Sequence, residues 1–154
     1  MIFRQLFDPE TSSYSYLLAD DATRAAVLID PVREQVARDV SLVRELDLTL
    51  RFTLETHVHA DHITGAAALR DQLGSRAGVG AAAGVSCADM ALADGAALRV
   101  GSIELRALAT PGHTSGCTTY VLAGAGMAFT GDALLIRGCG RTDFQQGDAH
   151  RLYR

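Results

Sequence analysis

The chain is poor in the features that announce several whole classes of protein. Its 154 residues contain three cysteines, Cys87, Cys117 and Cys139, which form neither an even set nor a C-x-x-C pair. A disulfide framework is therefore not expected, a reducing compartment is, and the plain reading of each thiol is a small buried side chain. A surplus of one charge is missing as well. The formal net charge is −4 and the 14 basic residues are scattered singly, so no basic stripe exists to neutralise phosphates, and nucleic acid is not expected as a partner. Long hydrophobic runs are absent too. The longest, residues 25–29 and 120–123, fall far short of the roughly 20 apolar residues that a membrane-spanning helix needs. The opening Met1-Ile2-Phe3-Arg4 carries no signal- or transit-peptide pattern. Together these absences predict a soluble, cytoplasmic protein without a membrane partner. No repeat, charge run or linker divides the chain, and an apolar share of 48% suffices for a core, so one domain over residues 1–154 is expected.

What is present is an interleaving of strand and helix patterns. Residues 13–18 and 25–29 are short β-prone runs around the polar turn Asp20-Asp21, which predicts a hairpin, and residues 2–7 suit a further strand. Val36, Val40, Val43 and Leu46 recur at helical spacing with charged residues between them, as a helix covering a sheet face requires. Residues 48–54 alternate as a strand does, and the Ala- and Leu-rich stretch 63–73 predicts a helix that Gly74 stops. The Gly/Ala-rich segment 75–84 reads as a short strand or loop. Residues 97–100 and 103–109 flank Gly101-Ser102 as a hairpin, and strands are expected at 118–122 and 127–130. The class is mixed α/β, with sheets covered by helices.

The chemistry concentrates in Thr56-His57-Val58-His59-Ala60-Asp61-His62, directly after a predicted strand, where three of the five histidines fall within one short loop. Histidines two apart on an extended loop can face one centre, and Asp61 and His62, expected at the start of the next helix, can approach it from the other side. Such a cluster buried without a metal would leave many polar groups without partners. His113 is displayed on the turn Thr110-Pro111-Gly112-His113-Thr114. Asp132 follows an apolar strand in Thr130-Gly131-Asp132, a place that taken alone suits a turn or cap residue more often than a ligand. All three motifs lie at strand ends, and strand-end loops of a packed sheet can converge on one site.

These motifs, in this order, resemble the metallo-β-lactamase superfamily. Within it, residues 3–8, residues 26–31 and above all Gly131-Asp132-Ala133-Leu134-Leu135-Ile136-Arg137-Gly138-Cys139-Gly140-Arg141-Thr142-Asp143-Phe144-Gln145 resemble the persulfide dioxygenases. The resemblance covers nearly all of the chain and implies an αββα sandwich. It further implies one Fe(II) per chain, held by His57, His113 and Asp132, at which glutathione persulfide and O2 yield sulfite and glutathione. Two imidazoles and one carboxylate leave open positions on ferrous iron, which suits that chemistry. His59, Asp61 and His62 would then stand outside the iron's ligand set, orienting ligands and ordering water, or as the remnant of the site where hydrolytic relatives hold a second zinc. Arg141, in Gly-Cys-Gly-Arg, is expected to form a structural ion pair or carbonyl contact, or to bind a glutathione carboxylate. Thr114 is expected to donate a hydrogen bond within the site or to cap the turn.

Members of that family continue beyond the position of Arg154 with further helices, strands and a Pro-x-His-Asp loop, which His150 does not replace. The chain is therefore expected to lack the C-terminal part of the sandwich, and to expose an apolar sheet face. Two alternatives accompany this reading. One is a hydroxyacylglutathione hydrolase of the glyoxalase II type with two zinc ions, against which stand Cys117, where those hydrolases commonly carry His, and the stretch Arg141 to Gln145. The other is a non-catalytic metal-binding fragment. The resemblance also suggests a homodimer and a rhodanese-type sulfurtransferase as partner.

Overall fold

A computed structural model describes residues 1–154. Its elements run, in chain order, β1 (Ile2–Asp8), β2 (Ser13–Ala19), β3 (Ala25–Ile29), α1 (Val36–Glu45), β4 (Thr49–Glu55), α2 (Ala66–Leu73), β5 (Arg76–Gly80), β6 (Met90–Leu92), β7 (Ala97–Val100), β8 (Ile103–Ala109), β9 (Thr118–Leu122), β10 (Met127–Phe129) and α3 (Ala149–Tyr153). One sheet orders its strands β1-β2-β3-β4-β5-β6 and the other β10-β9-β8-β7. The chain forms two compact units. The first comprises Met1–Glu55, His59–Gly78 and Arg99–Ile103, and the second comprises Thr56–Val58, Val79–Leu98 and Glu104–Arg154.

In the first unit β1, β2 and β3 pair antiparallel, and β3 then pairs parallel with β4 after the chain crosses over through α1. A parallel pair needs such a crossover, and α1 supplies a buried stripe of Val36, Val40 and Val43 for it. That stripe packs into a core with Leu17, Ala19, Ala26, Leu28, Leu50 and Leu69. Asp20, past the end of β2, is the polar anchor of this unit. Its carboxylate accepts hydrogen bonds from the Thr23 hydroxyl at 2.7 Å and from the Ser102 backbone N–H at 3.0 Å. These donors hold the carboxyl well below the ordinary carboxylate range, the Thr23 hydroxyl contributing most.

The second unit is built on β8, whose buried Leu105 and Ala107 alternate with outward Glu104 and Arg106, as a half-buried strand requires. β8 pairs antiparallel with β9, and β9 with β10. Tyr120 on β9, 1% exposed, is the largest fully buried side chain of the molecule. The short α3 begins at Asp148, whose carboxylate accepts the backbone N–H groups of His150 and Arg151.

The predicted strands appear with shifts of a residue or so, and segment 75–84 contains the short strand β5. Other expectations are corrected. The helix expected from residue 63 begins at Ala66, so Asp61 and His62 lie in the loop before it rather than at its start. Gly74 ends this helix as expected, in the left-handed region at φ 72° with its N–H bonded to the Arg70 carbonyl. β6 and α3 were not anticipated: the first is three residues long and the second five, too short for a period to register.

Candidate metal centre

Three loops of the second unit bring together His57, His113 and Asp132. One donor atom from each lies within 4.8 Å of the other two. His57 follows β4, and its loop is tied to the start of β9 by the Thr118 N–H, which donates to the Thr56 carbonyl at 2.7 Å. His113 sits on the turn after β8. The Thr110 N–H donates to the Cys117 carbonyl at 2.9 Å and closes this turn, and α3 packs on Gly112 so closely that a Cβ there would lie 2.4 Å from Leu152. Asp132 lies in a single 3-10 turn after β10, and its carbonyl accepts the Gly140 N–H at 2.7 Å.

Each imidazole has a polar partner at Nδ1. His113 Nδ1 lies 2.7 Å from the Arg141 carbonyl oxygen. A carbonyl can only accept, so Nδ1 carries a proton, and Nε2 is the nitrogen that faces Asp132 Oδ2, 3.5 Å away. His57 Nδ1 lies 3.0 Å from the Thr56 hydroxyl. The two rings meet edge to face with centroids 4.9 Å apart. His57 is buried, whereas the Asp132 side chain is 44% exposed, so the triad is walled on one side and open on another.

Two imidazole nitrogens and a carboxylate oxygen fit a divalent transition metal by their chemistry. Donors bound at about 2.1 Å stand at most about 4.2 Å apart. The three donor atoms, all within 4.8 Å of one another, lie close enough for one ion to be shared among them.

The other three metal-ligating residues of the histidine loop form a donor group of their own. His59, Asp61 and His62 belong to the first unit, and their donor atoms also lie within 4.8 Å of one another. His59 has further partners that the sequence did not single out. Its Nε2 lies 3.2 Å from Asp30 and 3.5 Å from Glu55, both at the ends of apolar strands. Burial would lower the basicity of His59, but the carboxylates of Asp30 and Glu55 outweigh it and raise its pKa to about 10. Burial raises Glu55 to about 7, against the pull of His59. Asp61 accepts from the Ser13 hydroxyl at 2.9 Å and lies 3.1 Å from His62 Nδ1.

Arg141 places its guanidinium against Asp143 in two hydrogen bonds of 2.8 and 2.9 Å, and stacks over Phe144 at 5.7 Å. Its polar reach toward the triad is the backbone carbonyl already described. Thr114 is spent inside its own turn: its N–H donates to Cys117 Sγ at 3.2 Å, and its hydroxyl lies 3.2 Å from the same sulfur and accepts the Gly116 N–H at 3.3 Å. Glu55, Asp30 and Thr56 were all missed as polar participants. The available signal was position, since each sits at a strand end, as Asp132 does, where an acidic or hydroxyl group follows an apolar run.

Comparison with known proteins adds an independent line. The family model for the Metallo-beta-lactamase superfamily matches residues 8–154. The chain is 51% identical over 154 residues to "Persulfide dioxygenase ETHE1, mitochondrial" of Mus musculus, covering 99% of this chain and 60% of the relative. The crystal structure of ETHE1 from Myxococcus xanthus superposes with a TM-score of 0.95 at 55% identity, covering 99% of this chain and 67% of that one. A hydroxyacylglutathione hydrolase of Cereibacter sphaeroides is 37% identical over 134 residues, covering 85% of this chain and 51% of the relative. The chain thus spans about 60% of the length of the mammalian relatives it matches.

Proposed function

Since the chain belongs to the metallo-β-lactamase superfamily and has its mixed α/β fold, we propose that it is the metal-binding part of a persulfide dioxygenase. It oxidises glutathione persulfide with O2 to sulfite and glutathione at one non-haem Fe(II) held by His57, His113 and Asp132. The carrying observation is the convergence of two imidazoles and one carboxylate from three separate loops within 4.8 Å. The names of the ETHE1 relatives support the assignment of substrate class.

In this reading His57 and His113 each supply one ring nitrogen, and at His113 the Arg141 carbonyl holds the proton on the other, Nδ1. Asp132 supplies the only negative charge of the set. A divalent ion there therefore keeps a net positive charge, which favours the deprotonated persulfide over a neutral thiol. Ferrous iron, when bound, supplies the oxygen and redox chemistry, and the protein's part is binding and orientation. The open flank beside Asp132 admits substrate. A shallow cleft in the same unit, lined by Val58, Thr114, Ser115, Gln145 and Gln146, adjoins both histidines in sequence.

One observation favours a second reading, the two-zinc hydrolase: His59, Asp61 and His62 form a further donor cluster. Against it, His59 Nε2 is already held by Asp30 and Glu55, and Cys117 is buried with its sulfur bonded inside the Thr114 turn. The family model over residues 8–154 supports reading the chain as part of one domain. The three free cysteines suit a cytoplasmic location, while the mammalian relatives are named mitochondrial. No helix is long and apolar enough to cross a membrane. A homodimer and a rhodanese-type sulfurtransferase partner belong to the same proposal, and gel filtration with and without such a partner tests both.

Elemental analysis of anaerobically purified protein, joined to oxygen uptake on adding glutathione persulfide, tests the main reading. Iron with oxygen uptake and sulfite release is the expected result. Zinc with thioester hydrolysis would install the hydrolase instead, and metal with neither activity would leave a non-catalytic metal-binding fragment.

A further inference from the structure

We propose that Thr56 is a positioning residue: its hydroxyl oxygen accepts the Nδ1 proton of His57 and so turns the Nε2 lone pair of that ring toward the metal. The inference rests on the reading of His57 as a ligand and adds a group that acts through it.

A neutral imidazole has one N–H and one lone pair, and only the nitrogen with the lone pair can bind a metal. Free imidazole side chains favour no tautomer strongly enough to guarantee the right one, so a fixed partner on the outer nitrogen decides. At His113 that partner is the Arg141 carbonyl, 2.7 Å away, which cannot donate. His57 has a hydroxyl in the corresponding place, 3.0 Å from Nδ1. A hydroxyl can accept or donate; in the accepting role proposed for it, a side chain would do at His57 what the backbone does at His113.

The surroundings hold this hydroxyl in place. Thr56 is 2% exposed and His57 4%, so bulk water does not compete for either. The Thr118 N–H ties the Thr56 carbonyl at 2.7 Å. Gly131, directly before Asp132, lies flat against the pair. A Cβ at that position, where φ is 49°, would stand 2.3 Å from Thr56 Oγ1, 2.8 Å from Thr56 Cβ and 3.3 Å from His57 Nδ1. The turn that carries one ligand thus encloses the hydroxyl that orients another, and any side chain at position 131 would dislodge it.

The test compares wild type, Thr56→Val and Thr56→Ser by 15N NMR of the histidine rings in the metal-free 154-residue chain, at about pH 8, where an ordinary imidazole is neutral. The expected result is a protonated His57 Nδ1 in wild type, a shift of that proton toward Nε2 in Thr56→Val, and restoration in Thr56→Ser. Zn(II) affinity, read by competition with a chelator, should fall about 10- to 100-fold in Thr56→Val and return in Thr56→Ser. A residue that merely filled space would pass both tests as valine. A wild-type His57 protonated on Nε2 overturns the proposal, and so does a Thr56→Val chain that keeps either the tautomer or the affinity. If Thr56→Val fails to fold, the wild-type tautomer and Gly131→Ala, which should move it in the same direction, still decide. Should neither Zn(II) nor Fe(II) perturb the His57 ring of wild type, the metal reading fails, while the tautomer comparison in the metal-free chain still stands or falls by itself.

Discussion

Two histidines separated by one residue meet opposite fates. His57 joins another imidazole and a single, partly exposed carboxylate, and its outer nitrogen faces a neutral hydroxyl. His59 is set against two carboxylates, Asp30 and Glu55, on side chains that are 6% and 13% exposed. The first arrangement is a donor set that could hold a metal ion. In the second, the two carboxylates favour the protonated form of the imidazole and raise the His59 pKa to about 10. A histidine-rich motif is thus not one site by virtue of its spelling. Whether an imidazole is a ligand or a counter-ion is set by how many carboxylates share its pocket.

The sharpest way to break this comparison is Asp132→Ala. Removing the one carboxylate of the first cluster should lower Fe(II) or Zn(II) affinity at least about a hundredfold, beyond what loss of an orienting group costs. The fold should survive, because the side chain is 44% exposed. Equilibrium metal titration with a parallel melting curve checks both halves.

His59→Ala should show the reverse pattern. It strands Asp30 and Glu55 beside each other without their shared cation, and the expected loss is about 3 kcal/mol of folding stability by denaturant unfolding. Metal affinity at the first cluster should change far less than in Asp132→Ala. Equal effects of the two substitutions on metal affinity would erase the distinction.

Gly140→Ala addresses the wall of the first cluster. The added methyl would lie 2.7 Å from Asp132 Cβ and from His113 Nδ1. Overpacking of this kind costs about 1–3 kcal/mol, and metal affinity should fall with it. A variant as stable and as tight-binding as wild type would show that the carbonyl lock on His113 is loose.

Asp20 serves as a control carboxylate, held by the Thr23 hydroxyl and the Ser102 N–H instead of an imidazole. Its folded pKa is depressed, so its contribution is present above the unfolded value near 4 and is lost as pH falls below it. Stability measured from pH 6 downward should therefore decline less steeply in Asp20→Asn than in wild type. Smallest of all is the effect expected of Arg141→Ala. The exposed pair with Asp143 contributes little, and the backbone carbonyl still faces His113, so metal affinity should stay within about fivefold of wild type.

Much of the fold was legible because its signals are local. Val36, Val40 and Val43 repeat at helical spacing and are the residues that α1 buries. Gly74 reads as a helix stop and takes a left-handed φ. The strands β8 and β9 could be read from alternation and β-prone composition. Elements without a period could not be read. β6 has three residues, and α3 depends on Asp148 capping a five-residue turn that rests on Gly112. The site was legible to the same degree. His57, His113 and Asp132 stand out as residue types at strand ends, whereas Glu55 and Thr56 look ordinary until the loops around them are closed.

Residue order alone therefore determined which side chains are available as donors, where strands end to display them, and which family the pattern resembles, since these depend on neighbours along the chain. The tertiary structure decided how they are shared out. It gave His57 to Asp132 and His59 to Asp30 and Glu55, put the Arg141 carbonyl rather than its guanidinium on His113, and turned Thr114 into its own turn. Those choices rest on contacts of about 3 Å between segments far apart in sequence, and a hydrogen bond decays within a fraction of an ångström. No spacing rule along the chain carries that information.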